Sequence, residues 1–166
     1  MKKFLAILGL CLLLGGCASQ ETFETLLDAY EVSVMAELRQ VELALPEDAV
    51  IETFEQEDVG KLYLCDGYSV AVQTMGSGDL NKTLYEATGF REEQLAIMKT
   101  KRGDVTRYDY TWCAAGEVEE QICRGVLLDD GSYHYVVTVM ADASKAGELT
   151  ATWQHILDSA KLVSTD

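Results

Sequence analysis

The chain has 166 residues, with 28 acidic against 13 Lys and Arg side chains and a formal charge of −15. So acidic a surface repels the phosphates of nucleic acid and does not favour lying flat on anionic lipid. No apolar run reaches the about 20 residues that a spanning helix needs.

In chain order, the first segment has the three-part layout of an export signal. Lys2 and Lys3 precede an apolar run from Phe4 to Leu14, and Gly15 and Gly16 stand before a cysteine. The tetrapeptide Leu14, Gly15, Gly16, Cys17 resembles the lipobox of bacterial lipoproteins. There, small residues fit the peptidase, and only a thiol can form the diacylglyceryl thioether. The resemblance implies a signal over residues 1–16, a lipidated Cys17 with a short polar tether over 17–22, and a single globular domain over 23–166. Cleavage lowers Lys plus Arg from 13 to 11 against 28 acids, a net charge of −17 on 150 residues. Two acyl chains hold a protein on a bilayer stably where one does not. Ala18 stands where an inner-membrane retention aspartate would sit, so the address is the outer membrane in a Gram-negative host and the cell membrane otherwise, extracytoplasmic in both.

Residues 23–45 carry two signals. Phe23, Leu26, Leu27, Tyr30, Val34 and Leu38 suit a helix, whereas Val41, Leu43 and Leu45 alternate like a strand. We expect an irregular or extended lead-in followed by a strand from about Arg39 to Leu45, stopped by Pro46. Lys61 to Cys65 and Tyr68 to Met75 flank Asp66 and Gly67, a pair that accepts the positive φ of a two-residue hairpin turn. That turn sets Cys65 opposite Tyr68 and Tyr63 opposite Val70. A helix follows, with Asp79 as N-cap, Leu80, Leu84 and Ala87 on one face and Gly89 just past its end.

Leu95 to Thr100 reads as a strand turning through Arg102, Gly103 and Asp104. From Arg107 onward the pattern predicts a three-stranded meander. Its last turn, Asp130 and Gly131, sets Leu128 opposite Tyr133 and Val126 opposite Tyr135. A loop from Gly116 to Glu120 sets Tyr108 opposite Leu128, Tyr110 opposite Val126 and Trp112 opposite Arg124. One aromatic and aliphatic face, continued by Val137 and Val139, is then the core seam. A C-terminal helix from about Lys145 to Lys161, capped by Ser144, places Leu149, Trp153, Ile156, Leu157 and Ala160 against the sheet. The fold class is α+β, an antiparallel sheet with a hairpin and a meander packed by helices.

Chemistry-bearing residues are sparse. Cys65, Cys113 and Cys123 remain once Cys11 leaves with the signal and Cys17 takes lipid. In the register above Cys113 lies opposite Cys123, where a hairpin disulfide is geometrically reasonable. An oxidising compartment favours the bridge and an anaerobic host leaves the thiols reduced. A bridge over so short a loop adds about 2 to 3 kcal/mol. A thiol-dependent enzyme or redox sensor would use Cys113 and Cys123, with His134 or His155 as base. His155 falls opposite Trp153 on its helix, however, and His134 reads as a sheet residue between Tyr133 and Tyr135. Asp129, Asp130 and the acidic loop Glu117, Glu119, Glu120 lack calcium-loop spacing. The glycines of 76–78 lack the Lys and Ser or Thr of a phosphate loop. No catalytic residue, metal or cofactor is assigned.

The order of hairpin, helix with Leu84 and Gly89, meander, and final helix with Trp153 ending in Asp158, Ser159, Ala160, Lys161 and Leu162 resembles the Mog1/PsbP-like fold. The likeness spans about residues 37–163. It implies an α/β/α sandwich acting as a noncatalytic accessory domain that binds another protein, here an envelope partner, and it transfers no functional residue.

Overall fold

The computed structural model describes residues 37–52, 60–116 and 119–165. The signal segment, the lipobox with Cys17 and the lead-in before Glu37 lie outside these residues. Strands β1 (Gln40–Glu42), β2 (Val50–Glu52), β3 (Lys61–Cys65) and β4 (Tyr68–Gly76) come first, followed by helix α1 (Leu80–Thr88). Then come β5 (Met98–Arg102), β6 (Val105–Ala115), β7 (Glu120–Asp129), β8 (Tyr133–Asp142), helix α2 (Ala143–Ser159) and β9 (Lys161–Val163). Seven strands form one antiparallel sheet in the order β2-β3-β4-β8-β7-β6-β5, while β1 and β9 pair separately.

The Asp66-Gly67 hairpin has the expected register, Cys65 opposite Tyr68 and Tyr63 opposite Val70, with Gly67 at φ 79°. Asp79 caps α1 by accepting from the Asn81 amide at 3.0 Å, and Gly89 ends the helix in the left-handed conformation. Both features follow from local turn and cap chemistry, so neighbouring residues suffice to specify them.

Longer pairings correct the sequence reading. Strand β5 begins at Met98, not Leu95, because Glu92–Gln94 forms a short 3₁₀ turn in which the Gln94 side chain accepts from the Arg91 amide at 3.0 Å. Between β7 and β8 the register is shifted by two: Leu128 faces Tyr135 and Val126 faces Val137. The Asp129 carboxylate accepts from the Gly131 amide at 2.8 Å, and Asp130 accepts from Ser132 and Tyr133 at 2.9 and 2.8 Å. These side-chain acceptors stabilise a three-residue loop, Asp130 to Ser132, where a two-residue turn was expected.

Between β6 and β7 the shift is one residue, so each side chain meets neighbours from the other set. Tyr108 pairs with Leu127, Tyr110 with Gly125 and Trp112 with Cys123. The Tyr110 ring lies over Gly125, where a Cβ would come within 2.6 Å of the ring. A register placing Val126 there would force a branched side chain into the ring.

That one-residue difference turns one expected seam into two. On one face Val126, Leu128, Tyr135, Val137 and Val139 pack with Trp153, Ile156 and Leu157 of α2. On the other, Tyr108, Tyr110, Trp112, Cys123, Leu127 and Val136 pack with Leu84 of α1. The result is an α+β sandwich with a helix on each face. Trp153 is 1% exposed, as expected of a core anchor.

Helix α2 starts two residues before the expected Lys145, and Ser144 donates to Glu119 at 2.6 Å instead of capping it. The helix ends at Ser159 and the chain continues as β9, which the sequence reading missed. Strand β1 pairs over only three residues of the expected Arg39 to Leu45 stretch. Beyond Glu42 the Ala44 amide donates to Ser159 Oγ at 2.8 Å, while Leu43 and Leu45 keep the inward alternation.

Candidate functional site

Helix α2 covers β7 and β8, leaving the β3–β4 half of the same face to the segment around β1. A groove of about 530 Å³ lies there, within the range of small ligand sites. Leu38, Val41, Leu43 and Leu45 form one wall, while Tyr63 and Val72 form the apolar part of the other. Lys61 and Thr74 add polar groups on the sheet side. Gly60 packs so closely on the Val72 carbonyl that no side chain would fit, which holds the start of β3 against β4.

A polar cluster pins one end of this wall. The Arg39 amide donates to Tyr135 Oη at 3.0 Å, and that hydroxyl donates to Asp130 at 3.1 Å. The Arg39 guanidinium pairs with Asp104 and stands 3.9 Å from Asp130. Hydrogen bonding to Asp104 raises Arg39 above its ordinary pKa, and the same bond holds the Asp104 carboxyl below the usual carboxylate range. Burial raises the Tyr135 phenol, so it remains a neutral donor. At the other end, Glu42 pairs with Lys161 at 3.0 Å, tying β1 to β9. The arrangement can hold an extended apolar group between charged ends.

The cysteines do not form the expected pair. Cys113 faces Ile122 and Cys123 faces Trp112, so the two thiols emerge on opposite faces of the sheet, and both are free. The one-residue register shift is the physical reason that Cys113 does not stand opposite Cys123, the placement from which a possible disulfide was read. Cys123 is buried, and desolvation, with Cys113 nearby, pushes its thiol up to about 11. Burial also raises the Cys65 thiol, against a hydrogen bond with Tyr68 that lowers it.

His155 is exposed on α2. His134 is 2% exposed and its Nδ1 shares a 2.7 Å hydrogen bond with Thr83 Oγ1 of α1, while Nε2 is 3.8 Å from Asp129. This Thr–His–Asp row has the composition of a relay. Thr83 and His134 are both buried, so the row joins helix α1 to the sheet. Among the described residues no group of three or more His, Cys, Asp and Glu side chains could hold a metal ion. No helix among them is long and apolar enough to cross a membrane.

The sequence reading missed the groove-lining Arg39, Lys61 and Tyr63. The available signal was an apolar alternation at Val41, Leu43 and Leu45 that outlasts its strand pairing.

The sheet and its two helices define the class: an α+β sandwich with a groove on the half-face that α2 leaves free. No family model matches the chain, and no curated protein does. Among solved structures it is similar to LpqN, described as involved in cell envelope biogenesis of Mycobacterium tuberculosis. The TM-score is 0.50 at 9% identity, over 77% of this chain and 86% of that one. It also matches a protein of unknown function, PA94 from Pseudomonas aeruginosa, with a TM-score of 0.33 at 18% identity, over 69% of this chain and 92% of that one. The first likeness is one of fold.

Proposed function

We propose that this chain is a lipid-anchored extracytoplasmic envelope protein whose folded part is a noncatalytic binding or assembly module. The lipobox Leu14 to Cys17 is the basis for the anchor, and a cell or outer membrane is the address. The fold likeness to LpqN, described as involved in cell envelope biogenesis, supports the envelope reading. The Mog1/PsbP-like element order supports an accessory role without catalysis.

The observation that carries the binding role is the groove between Val41, Leu43 and Leu45 on one side and Tyr63 and Val72 on the other. Its occupant is an extended segment of an envelope protein, with apolar side chains between these walls and a carboxylate reaching Lys61. Apolar contact supplies most of the affinity, and the charge fixes orientation.

Two measurements test this. The intact mass from native membranes is expected to equal Cys17 to Asp166 plus acyl chains, and an unlipidated mass overturns the anchor. A photocrosslinker at Leu38 is expected to trap one envelope protein reproducibly, with loss of the product in Lys61→Glu and no such product from Tyr85 on α1. Equal trapping from Leu38 and Tyr85, or none from Leu38, overturns the groove as the binding site.

A further inference from the structure

The two edges of the seven-stranded sheet carry opposite charge. At one edge, β2 exposes Val50, Ile51 and Glu52, and the turn before it exposes Glu47 and Asp48. Glu47, Asp48 and Glu52 thus give this edge three exposed acids. At the other edge, every residue of β5 is exposed, and Lys99, Lys101 and Arg102 occupy three of its five positions. Among the described residues none of these three cations has a carboxylate within ion-pair distance; Lys99 Nζ instead lies 5.2 Å over the Tyr108 ring. Three cations gathered on one short strand of so acidic a chain form a local field opposed to the rest of the surface.

An edge strand offers unpaired backbone donors and acceptors to another strand. Lysines on an edge discourage pairing with a like edge, and carboxylates do the same. Of the three pairings available between copies, β5 with β5 and β2 with β2 therefore repel, and only β5 with β2 attracts. It would also cover Val50, Ile51 and Met98, which are 64%, 49% and 63% exposed. We propose that copies of this chain associate head to tail, the β5 edge of one against the β2 edge of the next, so that the sheet continues between molecules. Such a contact joins unlike surfaces, and unless its rotation closes a ring it generates open rows. The inference is independent of the groove, which lies on a face of the sheet.

Sedimentation of the full chain in detergent tests it. At low ionic strength the mass is expected to rise with protein concentration. At about 1 M salt, where the screening length falls to about 3 Å, it is expected to return to the monomer. Lys99→Glu with Lys101→Glu and Arg102→Glu is expected to weaken association about tenfold or more, as is Glu47→Lys with Asp48→Lys and Glu52→Lys. An equimolar mixture of the two charge-reversed proteins is expected to associate again, because each supplies the edge that the other needs. All these positions are exposed, and circular dichroism checks that both variants fold.

A monomer at all concentrations overturns the proposal. So does association indifferent to both substitutions, or a folded mixture that fails to recover. Binding to vesicles containing an anionic phospholipid that the β5 variant loses, without self-association, would assign the edge to lipid headgroups instead and overturn it too.

Discussion

Thr83 on α1 and His134 on β8 are joined by a 2.7 Å hydrogen bond inside the sandwich, 51 residues apart in sequence. Burial lowers the imidazole pKa from 6.5, and the nearby Asp129 and Asp130 only partly oppose this. The folded protein therefore holds His134 neutral more strongly than the unfolded chain does. The associated stability is fully present above pH 6.5 and is lost as pH falls through 6.5 toward the lowered folded value. Urea unfolding at about pH 8 and about pH 5 should show a stability loss that His134→Gln reduces. An equal pH dependence in His134→Gln would remove this histidine as the cause.

Gly125 is the seat of the Tyr110 ring. Gly125→Val should cost about 1 to 3 kcal/mol through the clash, read as a lower urea midpoint at constant slope. Gly125→Val combined with Tyr110→Ala should cost less than the sum of the single changes, because the clash is absent from the pair.

The Tyr110 hydroxyl is buried with no hydrogen-bond partner among the described residues, and burial raises its pKa. Tyr110→Phe removes a desolvated group while keeping the ring stacked on Trp112 at 5.5 Å between centroids. It should leave stability unchanged or raise it by up to about 1 kcal/mol. A loss above about 1 kcal/mol, measured by the same unfolding, would show that the hydroxyl has a partner in solution.

Arg107 joins β6 to the end of α2, donating to the Leu157 carbonyl at 3.0 Å and to both Asp109 oxygens. It neutralises the negative end of the helix as well as satisfying a terminal carbonyl. Arg107→Met should lower stability by about 1 to 2 kcal/mol and raise amide exchange in the last turn of α2 and in β9 first. Uniform exchange across the sheet would argue against a local role.

Alkylation of the native protein should modify the exposed Cys113 rapidly and reach Cys123 only on unfolding. Peptide mapping after a timed pulse reads this directly. A bridged Cys113–Cys123 peptide, or equal labelling of the two, would contradict the register between β6 and β7.

The legible parts of the sequence were those specified within a few residues. Asp66-Gly67 and the Asp79 to Gly89 cap signals place a hairpin and a helix correctly because turn and cap chemistry act locally. The meander was harder, since its registers depend on how loops close. A two-residue error at Asp130 kept every side chain on its proper face. A one-residue error before Glu120 moved the tyrosines of β6 to the wrong neighbours and created an apparent cysteine pair. No local signal announced that Tyr110 requires a glycine across from it. The groove was invisible for another reason: it depends on how far α2 extends over the sheet, which no single segment encodes.

Strands β1 and β9 bring the first and last described parts of the chain side by side, with Gln40 opposite Val163 and the Thr165 hydroxyl donating to the Leu38 carbonyl at 3.0 Å. The two described ends of the chain lie at the same end of this ribbon. Tension applied between them therefore peels the ribbon open one bond at a time, and does not shear it. This seam is expected to yield before the seven-stranded sheet under such tension, and its opening would unsettle the groove wall formed by Leu38, Val41 and Leu43.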